Sequence, residues 1–167
     1  MKFRDSIYYA ILKDDLALLR GGVLDLGSHF SSSLVFIQSI PADRLGFAYA
    51  PGKWTVSQVL GHLSDIQTVF LNRALYISRG QSVALYPIEE QLWVGSAGHA
   101  ELGREKLLDL YASGAAHVQS VVSSLPPGSL AREGVANEVE ITAEEVILYL
   151  MAHEMHHLRV IRERYLG

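Results

Sequence analysis

The stretch "TAEEVILYLMAHEMHHLRVIRERY", residues 142–165, decides the reading of the fold. Thr142 followed three residues later by Glu145 is a capping box, which opens a helix by satisfying two orphan backbone donors reciprocally. The apolar residues that follow recur at helical spacing. The same stretch contains His153-Glu154-Met155-His156-His157, which by letters is the H-E-x-x-H of a zinc peptidase. The two readings need different folds. A peptidase of that type sets its histidine helix against a sheet that holds the peptide, whereas a bundle helix packs against other helices.

The peptidase pattern requires a third protein ligand downstream, or a further histidine a few residues on. The residues after His157 hold neither His nor Asp, and Glu163 falls on the wrong face of the helix. No run of alternating apolar and polar residues is long enough to build a sheet. The helix is therefore read as part of a bundle. At about 100° per residue, His157 lies about 40° from His153 and one turn further on. Val146, Leu150, Val160 and Arg164 fall along the same line, so this is the inward seam. His156 falls to the other side with Glu145, Tyr149, Arg159 and Glu163, a face expected to be solvated. Glu154 lies in the apolar stripe of Ile147, Leu158 and Ile161. It is expected to point inward and to need a partner, as acceptor for a histidine N–H or as a base.

Three more helices are predicted upstream. The first runs from about Leu24 to Ile40, before Pro41. The second follows "YAPGKW" (49–54), where Thr55 and Gln58 form another capping box, and reaches Arg79 before Gly80. The third runs from Ala100 to Leu125 and is stopped by Pro126-Pro127-Gly128. The first 20 residues are expected to add a short helix or an arm. Gln81 to Gly98, with aromatic Tyr86 and Trp93, reads as a long connection. The expected architecture is an all-α four-helix bundle with a long connection between helices 2 and 3, formed as a single domain over residues 1–167.

Composition limits the function. Apolar residues make up 49% of the chain and charged residues 19%, as in an ordinary soluble globule. The net charge of −4, with Arg and Lys scattered, offers no footprint for nucleic acid or an anionic membrane. The longest apolar run, "VILYLMA" (146–152), is too short to cross a bilayer. The N-terminus is interrupted by charges and lacks a signal-peptide core, so a cytoplasmic protein is expected. There is no cysteine, so a metal site must be built from His, Asp and Glu.

His153 and His157 can chelate one ion, because spacing i, i+4 stacks their rings on one face. The alternative is a pair of buried, hydrogen-bonded histidines. In the second helix the apolar stripe runs through Val56, Val59, Leu63, Ile66, Phe70 and Ile77. His62 lies on its edge and can turn into the bundle. Asp65 lies further round, toward Gln58 and Asn72, placed to cap, bridge or support a ligand. Arg73 follows His62 on the same face and is placed to pair with a carboxylate. His29, His99 and His117 have no evident partner and are read as structural.

The segments "YAPGKWTVSQVLGHLSD" (49–65), "FLNRALYISRG" (70–80) and "ITAEEVILYLMAHEMHHLRVIRERYL" (141–166) together resemble the DinB/YfiT-like superfamily, in its DinB_2-type branch. The resemblance covers roughly residues 20–166. It implies a four-helix bundle holding a divalent metal ion on three histidines, which match His62, His153 and His157 here. Zinc or nickel suits such all-nitrogen ligation. The resemblance also implies a homodimer, and relatives that include metal-dependent S-transferases using low-molecular-weight thiols such as bacillithiol or mycothiol, and a maleylpyruvate isomerase. The expected function is metal-dependent activation of a low-molecular-weight thiol for transfer to an electrophilic small-molecule substrate. The alternatives are a small-molecule hydrolase and a non-catalytic, dimeric metal- or ligand-binding module.

Overall fold

The computed structural model describes residues 1–19, 24–81 and 87–167. Among these the helices are α1 (Ile7–Leu19), α2 (Leu26–Ser39), α3 (Val56–Ser78), α4 (Glu90–Ser96), α5 (Arg104–Ser123) and α6 (Ala143–Val160). The four helices expected from periodicity are α2, α3, α5 and α6. Both capping boxes form: the amides of Gln58 and Glu145 donate to the Thr55 and Thr142 hydroxyls at 3.2 and 3.1 Å. The Gln58 and Glu145 side chains accept from the cap amides at 2.9 and 3.0 Å. Asp25 caps α2 by accepting from the Ser28 amide at 3.0 Å.

Helix α3 is the hub, packed against both α5 and α6, and α2 closes the bundle between those two. The shared core includes Phe30 and Ile37 of α2, Val56 and Leu63 of α3, Tyr111 and Val118 of α5, and Ile147 and Leu150 of α6. No helix among the described residues is long and apolar enough to cross a membrane.

Four expectations need correction. First, the expected N-terminal helix, α1, packs along α6 through Leu12 and Leu16. It crosses the α6 face that was expected to be solvated. The Arg159 guanidinium donates to both oxygens of the buried Asp15 at 3.0 and 3.1 Å, and to His156 Nδ1 at 3.3 Å. His156 is therefore half-buried, and Tyr149 on the same face packs in a ring cluster with Tyr8, Phe3 and Phe70.

Second, there is a hairpin of β1 (Glu133–Ala136) and β2 (Val139–Thr142), paired Glu133 with Thr142 through Ala136 with Val139. Asn137 and Glu138 turn the chain at φ 52° and 63°, the left-handed pair that a tight two-residue hairpin needs. Strands of four residues are too short for alternation to stand out from noise. Third, the connection after α3 contains α4; Tyr86 lies outside the described residues. Fourth, α6 continues as a π-turn over Ile161–Tyr165, with the Leu166 amide donating to the Ile161 carbonyl at 3.2 Å. The wider turn shifts the face by about one residue. Tyr165 is buried as a result, and Arg164, expected on the seam, is exposed.

Gly61, next to His62, lets the turn holding His99 sit directly on α3. A Cβ there would fall 2.1 Å from His99 Cγ. Gly61→Ala is expected to cost about 1–3 kcal/mol, the usual penalty for overpacking, read as a lower urea midpoint with an unchanged slope. A midpoint equal to wild type would show that His99 can leave without cost.

Candidate metal centre

His62 projects from α3, and His153 and His157 from the facing side of α6. Their Nε2 atoms converge. His153 Nε2 lies 3.4 Å from that of His62 and 3.2 Å from that of His157. A tetrahedral ion about 2.05 Å from each nitrogen holds its ligands about 3.3 Å apart, so the spacing fits a divalent metal without rearrangement. The buried positions of His62 and His153 and the half-buried one of His157 act in the same direction. Burial, followed by the nearby histidines, holds all three imidazoles below their ordinary pKa: His62 at about 4, His157 at about 3 and His153 well below the usual value. At neutral pH they are uncharged and present lone pairs to one point. A shared proton can relieve one such contact, whereas a cation relieves all three. Among the described residues this is the only group of three or more His, Cys, Asp or Glu with that convergence.

Aromatic rings fix the imidazoles. Trp54 lies 5.0 Å from the His62 ring and stacks on His157 at 6.2 Å and 17°. Tyr149 stacks on His153 at 6.1 Å. Trp54 is itself held twice: its indole N–H donates to Gln91 Oε1 at 3.1 Å, and its carbonyl accepts from the Tyr165 hydroxyl at 2.9 Å. The sequence carried a signal for Trp54, since an apolar residue just before an N-cap and another at the fourth helical position, here Val59, form a hydrophobic staple. Two cavities flank the cluster. One, of about 90 Å³, is lined by His153, Phe70, Arg73 and Tyr149. The other, of about 250 Å³, is lined by His157, Trp54, Tyr49, Lys53 and Tyr165.

The remaining candidates separate from this cluster. Glu154 points inward as expected, but toward the opposite side of the bundle. Its Oε1 accepts from the Tyr111 hydroxyl at 2.8 Å and lies 2.9 Å from His29 Nε2. His29 thus lies within ion-pair distance of a carboxylate that α2 alone could not reveal. Burial and the adjacent carboxylate both raise the Tyr111 pKa, so its hydroxyl stays a donor. His99 is buried, with Nε2 3.8 Å from Asp65 Oδ1, so Asp65 bridges to His99. His117 is exposed on α5. Arg73 donates to Asn137 Oδ1 at 3.4 Å and lies over the Phe70 ring.

Tyr111→Phe removes the hydroxyl donor to a buried carboxylate and is expected to cost about 1–3 kcal/mol. Metal content should stay at the wild-type value, since Glu154 faces away from the three histidines. Chemical denaturation with metal analysis on the same sample checks both; loss of metal would tie Glu154 to the centre.

A helical bundle with three inward histidines converging on one point defines a class of metal-binding bundle proteins. Residues 29–161 match the family model of the DinB superfamily, and the chain belongs to that superfamily. YfiT from Bacillus subtilis, described as a probable metal-dependent hydrolase with an unusual four-helix bundle topology, superposes with a TM-score of 0.72 at 20% identity. That match covers 98% of this chain and 90% of YfiT. A mycothiol-dependent maleylpyruvate isomerase superposes with a TM-score of 0.65 at 16% identity, over 95% of this chain and 62% of the isomerase. The chain thus spans less than two thirds of that protein. At these identities the likeness establishes the fold. No curated protein matches the sequence significantly.

Proposed function

We propose that His62, His153 and His157 hold one divalent ion, zinc or nickel by donor type, and that the protein is an enzyme activating a low-molecular-weight thiol for transfer to an electrophilic small molecule. The convergence of three Nε2 atoms, at 3.2 and 3.4 Å, between two cavities carries this reading. A divalent ion there supplies Lewis acidity that lets a neighbouring thiol lose its proton near neutral pH. Three protein ligands leave coordination positions open, as catalytic rather than structural sites do.

The chain's own residues do the rest. Burial keeps the imidazoles neutral and available as ligands, and the rings of Trp54 and Tyr149 keep them oriented. With no cysteine in the chain, the sulfur must arrive with the co-substrate. The wider cavity beside His157, with Lys53 and three aromatic rings, suits a polar thiol; the narrower one beside His153 suits the electrophile. In the transfer the thiol gives up its proton to solvent, its sulfur bonds the electrophilic carbon, and the leaving group departs with its electron pair. Two separate approaches to one centre favour this two-substrate reaction over hydrolysis. A homodimer and a cytoplasmic location belong to the same reading, and sedimentation would test the former.

The test begins with elemental analysis of protein purified without a nickel column. A panel of thiols is then assayed with 1-chloro-2,4-dinitrobenzene, reading chloride release and the thioether chromophore. Thiol-dependent turnover that requires the metal supports the transferase. Metal-dependent turnover of ester or amide reporters without any thiol would favour the hydrolase, and a loaded protein inert to both would favour a binding module.

A further inference from the structure

The narrower cavity contains a cation that the metal reading does not use. Arg73 is 7% exposed and lines the cavity with His153. Its side chain leans back along α3, as helical side chains do, over Phe70 one turn earlier. The guanidinium carbon is 5.0 Å from the Phe70 ring centre, which is 6.4 Å from that of His153, so at most about 11 Å separates guanidinium and imidazole. Asn137, at the hairpin turn, takes a bond from Arg73 Nη2 at 3.4 Å and helps to set the plane of the fork. Phe3, Ile66, Val146 and Tyr149 supply apolar walls. The lining also includes the Glu90 carboxylate, exposed as a residue but with its pKa raised by burial.

We infer that Arg73 anchors a carboxylate of the substrate in the cavity beside His153, so that the substrate class is a small organic acid whose reacting group lies a few bonds from that carboxylate. A planar guanidinium fork matches a carboxylate in two parallel bonds, and low-polarity walls strengthen such a pair. The short separation of guanidinium and imidazole sets the length of molecule that can reach both. The assignment rests on the metal reading for the position of the reacting end, and on Arg73 alone for the acid end.

The probes are 3-mercaptopropionate and its neutral amide, titrated calorimetrically into zinc-loaded protein. The acid is expected to bind at least about tenfold more tightly than the amide, as a charge-assisted pair allows. In Arg73→Met the preference should fall to about onefold while zinc content stays at the wild-type value, and Arg73→Lys should restore part of it. Equal binding of acid and amide by wild type, or a preference that survives in Arg73→Met, overturns the assignment. A second measurement needs neither metal nor variant: in metal-free wild-type protein, propionate but not propionamide should shift the Arg73 Nε–H resonance. An unmoved resonance overturns the anchor. A shifted resonance in a chain that binds no zinc upholds the anchor and removes the metal reading instead.

Discussion

His157→Ala is expected to abolish metal retention. Removing a partner outside the coordination sphere already costs roughly 10- to 100-fold in affinity, so loss of one of three protein ligands should cost more than about a hundredfold. Wild-type protein should carry about one ion per chain after gel filtration, as the geometry of three converging nitrogens dictates. The variant should carry almost none. The loss should also appear in stability, because a ligand that binds only the folded state adds about 4 kcal/mol at a thousand times its Kd. For a chain of this size that corresponds to roughly 8–16 °C in Tm. Zinc should raise the Tm of wild type by about that amount and leave the variant unmoved. His117→Ala, on the exposed face of α5, is the control and should behave as wild type. Full metal content in His157→Ala would refute the three-histidine site.

The second large effect is acid sensitivity of the metal-free protein. Unfolded, each histidine titrates near 6.5; folded, His62 is held at about 4, His157 at about 3, and His153 well below its usual value, chiefly by burial. Between these limits the unfolded chain binds more protons than the native one, so stability rises with pH. The contribution is fully present above about pH 6.5 and is lost as pH falls toward 4 and below. His62 alone accounts for on the order of 3 kcal/mol across that window, before its two neighbours are counted. Metal-free protein should therefore lose stability steeply between about pH 6.5 and 4, with carboxylates adding to the change below about pH 5. Zinc should move the fall to lower pH, because a coordinated imidazole cannot take up a proton at the same nitrogen. Urea midpoints at half-unit steps of pH, with and without zinc, measure the difference. A flat profile over this window would mean that the histidines are solvated and not converged.

The legibility of the site follows the distance over which each relation acts. Thr55 with Gln58 and Thr142 with Glu145 form their bonds within one turn, so the starts of α3 and α6 could be read to the residue. The pairing of His153 with His157 is likewise a property of one helix, set by its pitch. His62 was a candidate on weaker grounds, since a residue at the edge of a stripe can turn either way; the packing of α3 against α6 turns it inward. Local pattern falls short where a second element decides the surroundings. From α6 alone His156 and Tyr149 read as solvated, because nothing local to α6 shows that α1 lies across that face. The neighbour of His29 is not legible locally because Glu154 comes from another helix, 125 residues later in the chain. The hairpin leaves no pattern because its strands are four residues long, and the slip of Arg164 leaves none because an α-wheel cannot anticipate a π-turn.

Residue types and their spacing dictate a bundle of capped, amphipathic helices, the absence of any thiolate ligand, and two histidines one turn apart on an inward seam. These depend on residue type and helical period, which local sterics and backbone hydrogen bonding impose. The packing of helix on helix brings His62 to that pair at ligand spacing, turns Glu154 away to His29 and Tyr111, and sets Arg73 in the cavity beside His153. Each of those is a contact between helices, and which contacts form depends on how apolar faces from distant parts of the chain fit together.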